Sequence, residues 1–101
     1  MKKIINGKLY NTETASCVGS YQYSYPGDFG YWYEALYKKK SGEYFLHGEG
    51  GANSKYMREV GQNEWSGGEV INRLTVDEAK EWAEQYISAD EYIAEFGEPK
   101  E

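Results

Sequence analysis

The chain has 101 residues, 40% apolar and 17% aromatic, which suffices for one modest core in which rings stand in for scarce Leu, Ile and Val. A single cysteine, Cys17, excludes an internal disulfide, and with a single histidine, His47, it leaves no Cys/His set for a structural zinc site. The net charge of −6 is unevenly placed: residues 75–101 hold nine acids and two lysines, a net of −7, while residues 1–74 carry a net of +1.

In chain order, Lys2–Ile5 and Lys8–Tyr10 flank Asn6-Gly7, a dipeptide that tolerates the positive φ angles of a type I′ hairpin turn. Asn11–Ala15 reads as a helical turn or a loop. Cys17 is expected as a half-buried small apolar residue. From Val18 to Tyr25 the tyrosines at 21, 23 and 25 alternate, which predicts a strand with three rings on one face. Pro26-Gly27-Asp28 closes it as a turn. Tyr31–Tyr37 is the strongest strand signal, with Tyr31, Tyr33, Ala35 and Tyr37 on one face and Trp32, Glu34 and Leu36 on the other. Lys38–Gly42 turns the chain, and Glu43–His47 returns as a partner strand.

Gly48-Glu49-Gly50-Gly51-Ala52-Asn53 is expected to lack regular structure, because glycine loses much backbone entropy on ordering. A short helix is predicted from Ser54 as N-cap to Gly61 as stop, burying Tyr56, Met57 and Val60. Trp65–Gly68 reads as a turn and Val70–Leu74 as a short strand. Thr75-Val76-Asp77-Glu78 is a capping box, and Ala79, Trp82, Ala83, Tyr86 and Ile87 then fall on one helical face. Ser88–Glu91 repeats the capping pattern before a second helix burying Tyr92, Ile93 and Phe96. Strands first and helices last predict an α+β fold: a small antiparallel sheet from N-terminal hairpins, packed on C-terminal helices, in a single domain over 1–101. The acidic amphipathic segment spans about 75–97.

Few residues point to catalysis. His47 beside Glu49 has the elements of a general base, but no nucleophile stands at a suggestive spacing, and a strand-rim histidine is the plainer reading. The glycine runs at 48–51 and 67–68 lack the Gly-Lys-Ser/Thr of a phosphate loop and contain or adjoin glutamates that would repel phosphate. Asp77, Glu78 and Glu81 follow no calcium-loop spacing. No cofactor, no metal and no enzymatic role are expected.

Two binding readings remain. Lys38-Lys39-Lys40 beside Tyr31, Trp32, Tyr33 and Tyr37 makes a basic and aromatic cluster suited to stacking bases, against the overall negative charge. The acidic segment offers the opposite chemistry. Helical neighbours three or four apart stand about 5–6 Å from one another, so Glu78, Glu81 and Glu84, with Glu91 and Glu95 beyond, can imitate a row of phosphates and occupy a groove of Arg and Lys. A solvated outer face is the plain alternative for the same residues.

Four segments carry a resemblance: Lys3–Ala15 (KIINGKLYNTETA), Tyr31–Tyr37 (YWYEALY), Gly48–Gly51 (GEGG) and Leu74–Glu84 (LTVDEAKEWAE). In this order, over nearly the whole chain, they resemble a group of roughly hundred-residue proteins carried by phages and conjugative elements of Gram-positive bacteria. Small acidic proteins of this kind include anti-CRISPRs that disable Cas9-type nucleases. No apolar run reaches signal-peptide or membrane-span length, Ile4 and Ile5 being followed at once by Asn6-Gly7-Lys8, so a cytoplasmic protein with no membrane partner is expected. The resemblance implies an inhibitor that binds a CRISPR effector such as Cas9, with no direct nucleic acid, on its DNA channel or on the arginines that read the PAM. The segments are not catalytic motifs, so site residues are taken from charge and exposure. Glu78, Glu81, Glu84, Glu91 and Glu95 supply charge, and Tyr31, Tyr33 and Tyr37 supply apolar anchoring. A homodimer through the aromatic surface is a further possibility. The alternative is a nucleic-acid-binding accessory protein of a mobile element, acting through Lys38–Lys40.

Overall fold

The computed structural model describes residues 1–101. Eight strands precede two helices: β1 (Lys2–Ile5), β2 (Lys8–Asn11), β3 (Ser16–Tyr23), β4 (Trp32–Lys38), β5 (Tyr44–Gly50), β6 (Arg58–Gly61), β7 (Glu64–Ser66), β8 (Gly68–Leu74), α1 (Val76–Tyr86) and α2 (Ala89–Phe96). The main sheet is antiparallel in the order β3-β4-β5-β8, and β1-β2 and β6-β7 are separate hairpins. This is the α+β architecture expected from the sequence. No helix is long and apolar enough to cross a membrane.

Each face of the sheet has its own apolar cluster. The register pairs Leu36 with Leu46 and Tyr37 with Phe45, so alternate residues of β4 and β5 face opposite ways. Leu36, Tyr44 and Leu46 meet Ala79, Trp82 and Ala83 of α1. Two fully buried alanines let the helix backbone approach the sheet closely, and Trp82 fills the space beside them. On the other face the β1–β2 hairpin lays Tyr10 against Phe45 and Ile71, with Tyr10 edge-on to Phe45 at 5.5 Å and Tyr37 stacked on it at 5.3 Å. The radius of gyration, 14.9 Å, exceeds the ~13 Å of a compact hundred-residue domain, and the molecule is elongated, 49 × 34 × 20 Å.

Local chemistry explains the well-read elements. Asn6 and Gly7 take φ of 52° and 75°, as the type I′ turn requires. Both capping boxes are made: the Glu78 and Glu91 amides donate to Thr75 Oγ1 and Ser88 Oγ, and the two glutamates accept from the Thr75 and Ser88 amides.

Several expectations are corrected. Gly48–Gly50 is not irregular but the end of β5, because it is paired on both sides, by β4 and by β8. Its missing side chains are what the packing needs: a Cβ on Gly48 would run into the Tyr56 phenol. Gly48→Ala should therefore lower stability by about 1–3 kcal/mol, read as a shift of the urea midpoint at constant slope.

The helix predicted over 54–61 does not form. Ser54–Met57 is a turn, Arg58–Gly61 is β6, and Trp65 belongs to β7 instead of a turn. Tyr56 is drawn to the sheet while Met57 and Val60 remain exposed, and Asn63, with φ of 60°, closes the hairpin. Tyr25 lies beyond β3, which ends where Ser24 adopts φ of 64°. Cys17 is exposed, on an edge strand whose register shifts between Cys17 and Gly19. Of the three residues expected buried on α2, Tyr92 and Phe96 are half-buried and Ile93 is exposed.

Candidate functional site

The five candidate glutamates fall into three situations. Glu78 and Glu91 are committed to their capping boxes through Oε1, with amide-to-carboxylate distances of 2.8 and 3.1 Å. Glu95 is a structural tie. Its Oε2 lies 3.0 Å from Lys38 Nζ and accepts from the Tyr44 hydroxyl at 2.5 Å, joining α2 to the β4–β5 end of the sheet. Burial, and then that carboxylate, push the Tyr44 phenol far above its ordinary range, so it remains a donor.

Glu81 and Glu84 are different. Both are exposed and neither forms an ion pair or a side-chain hydrogen bond. Glu81 has Asp77 four residues before it, Glu78 three before and Glu84 three after. All are acidic, and like charges at these spacings each oppose the helix by about 0.2–0.5 kcal/mol. Glu84 also lies in the last turn of α1, where no basic residue is present and a negative charge opposes the helix dipole.

The aromatic candidates lie elsewhere. Tyr33 and Tyr37 are half-buried on the sheet face opposite the helices, Tyr37 in the stack on Phe45, and Tyr31 donates to Glu49 Oε1 at 3.4 Å. They do not share a surface with the acids. Tyr21 and Trp32 meet Tyr86, the last residue of α1, and Tyr23 lies beyond Trp32. Tyr23 stacks on Trp32 at 6.0 Å, and Tyr21 reaches Tyr86 at 5.0 Å. Tyr23, Tyr25 and Phe29 are 51%, 65% and 74% exposed. The β3 alternation pointed to Tyr21 and Tyr23, whereas nothing local marked Phe29.

The lysine turn is largely occupied. Lys38 is paired with Glu95, and Lys39 lies 3.6 Å from Glu43 and 4.1 Å from the centre of the Tyr10 ring. Lys40 alone is exposed and unpaired. Tyr31, just before β4, and Lys38, its last residue, are about 20 Å apart by strand rise, so Tyr31 and the lysine turn do not form one platform.

The carboxylate of Glu34 is the buried centre of the helix face. It accepts from Trp82 Nε1 at 2.7 Å and from the Tyr56 hydroxyl, and Lys55 Nζ stands 2.9 Å away. Lys55 also lies 3.9 Å from the centre of the Trp32 ring. This group fixes α1 and the 51–57 turn against the sheet. On the opposite face His47 Nε2 meets Glu69 Oε2 at 2.9 Å, and Glu49 lies close by. Sequence proximity joined His47 to Glu49; the β5–β8 register brings Glu69 to them.

Comparison with protein-family models, with curated proteins and with solved structures finds no match to this chain.

Proposed function

We propose that this protein is a non-catalytic, cytoplasmic inhibitor of a CRISPR effector nuclease of the Cas9 type, which lays its acidic α1–α2 surface into a basic nucleic-acid-binding channel. One observation carries the proposal: Glu81 and Glu84 are exposed and unpaired, Glu81 with like charge at 77, 78 and 84 and Glu84 in the last helical turn against the dipole, an arrangement that a facing Arg or Lys surface would relieve. The neighbouring rings Tyr21 and Tyr23 provide apolar area at the edge of the same surface, in place of Tyr31, Tyr33 and Tyr37. The Cas9 assignment itself follows the resemblance of the four sequence segments.

The test is a cleavage assay with guide-loaded Cas9 proteins of several types, paired with a gel-shift of the isolated protein on single- and double-stranded DNA. Inhibition of at least one nuclease with no shift by the protein alone is the expected result. Absence of inhibition across the panel removes the Cas9 assignment. A shift that disappears on replacing Lys38–Lys40 by Ala supports the accessory nucleic-acid-binding alternative instead.

A further inference from the structure

His47, Glu49 and Glu69 form a cluster that the acidic-surface reading does not use. His47 and Glu49 are two apart on β5 and share a face, and Glu49 is paired directly across the ladder with Glu69 of β8. One ligand atom from each residue lies within 4.8 Å of the other two. Like charges directly opposite on neighbouring strands repel, and neither glutamate is ion-paired with a lysine or arginine. The group that meets them there is His47, 14% exposed, which compensates charge only when protonated.

We propose that His47 Nε2 and one carboxylate oxygen each from Glu49 and Glu69 bind a divalent first-row metal ion, zinc by preference. The donor set favours it. An imidazole favours a first-row transition metal over magnesium and calcium, which take oxygen ligands, and zinc accepts both imidazole nitrogen and carboxylate oxygen. Zinc bonds near 2.0–2.1 Å place tetrahedral ligand atoms about 3.3 Å apart. The 2.9 Å His47–Glu69 separation needs only small side-chain rotations to reach that spacing. Three protein ligands leave a fourth position for water or for a partner's side chain, and Glu69, 44% exposed, opens the site to solvent.

The surroundings orient the ligands as supporting groups of metal sites do. The Tyr31 hydroxyl donates to Glu49 Oε1, and Tyr33 stands edge-on to the His47 ring with centroids 6.4 Å apart. Because the ligands come from adjacent strands, the ion would also clamp edge strand β8 to central strand β5.

The full chain is titrated with Zn²⁺ by calorimetry and with Co²⁺ as an absorbing probe, near neutral pH. One equivalent should bind, with visible absorption of a low-coordinate Co²⁺ site, and Zn²⁺ should raise the Tm. His47→Ala and Glu69→Gln should each weaken binding at least about tenfold and shrink the Tm shift at a given Zn²⁺ concentration. Glu69→Gln lies on an exposed position and stands as the reading if His47→Ala does not fold. Glu81→Gln/Glu84→Gln, on the opposite side of the sheet, should bind the metal as wild type does. Absence of saturable binding overturns the proposal. So does binding that is as tight in Glu69→Gln as in wild type, or that disappears in the helix variant.

Discussion

Replacing Glu34 by alanine should lower the free energy of unfolding by about 3 kcal/mol, a large fraction of the 5–15 kcal/mol typical of a domain. The side chain is 3% exposed and its two oxygens hold three donors. Without it the Trp82 indole N–H is left buried and unanswered. Tyr56, which covers Gly48, and Lys55, which caps Trp32, both lose their anchor. The effect should therefore reach beyond the site, loosening α1 and the 51–57 turn together. Glu34→Gln keeps an acceptor for Trp82 and should cost less, about 1–2 kcal/mol. Urea unfolding followed by tryptophan fluorescence reads both variants. Equal stability of Glu34→Ala and wild type would refute the role given to this carboxylate.

The same group sets a pH dependence. Burial alone would raise the Glu34 carboxyl, but hydrogen bonds from Lys55, Tyr56 and Trp82 outweigh it and hold it below its ordinary value of about 4.5. A carboxyl that is harder to protonate folded than unfolded adds stability that is complete above the ordinary value. That stability declines as pH falls through it and is gone below the folded-state value. Asp28, lowered first by the Ser24 hydroxyl, and Glu43, lowered first by Ser41, act in the same direction from exposed positions. Comparison with Glu34→Gln isolates the buried group: wild type should lose stability more steeply with acidification below about pH 4.5.

Elements governed by neighbours in sequence were legible, and those governed by contacts across the sheet were not. The Asn6-Gly7 turn and the capping boxes at Thr75 and Ser88 are local devices, and each forms as expected. Gly48–Gly50 misleads because entropy disfavours glycine in a strand unless close packing demands it, and the demand comes from Tyr56, eight residues from Gly48. Residues 54–61 mislead for the matching reason: their helical spacing is overridden once Tyr56 is committed to Glu34, 22 positions away. At the candidate site, charge could be counted from composition, but its distribution among roles could not. Glu95 looked like one more surface acid until Lys38 and Tyr44 met it across the fold. The face of Tyr31, Tyr33 and Tyr37 was readable from alternation, yet which face the helices cover depends on Leu36, Leu46 and Trp82 together.

This sorting of the acids yields the sharpest functional prediction, because it separates carboxylates that hold the fold from those that do not. If the proposed function holds, Glu81→Lys/Glu84→Gln should leave the protein at least as stable as wild type while weakening binding to the proposed nuclease about a hundredfold. For stability, a lysine introduced at position 81 follows Asp77 by four residues and Glu78 by three, turning repulsive contacts into attractive ones of about 0.2–0.5 kcal/mol each. The Glu84→Gln change removes a negative charge from the last turn, and the capping box through Glu78 is untouched. For binding, close charge pairs between proteins couple by about 1.5–7 kcal/mol, and a hundredfold loss corresponds to about 2.8 kcal/mol, near the low end for two sites. The lost affinity should also carry a salt signature: raising ionic strength should weaken wild type more than the variant, since screening has less attraction left to remove. A variant that inhibits as well as wild type would show that α1 is only a solvated face. The aromatic edge of Tyr21 and Tyr23 would then become the surface to test. A variant that loses both stability and binding would place Glu81 and Glu84 among the acids that hold the fold, contrary to their exposure and lack of partners.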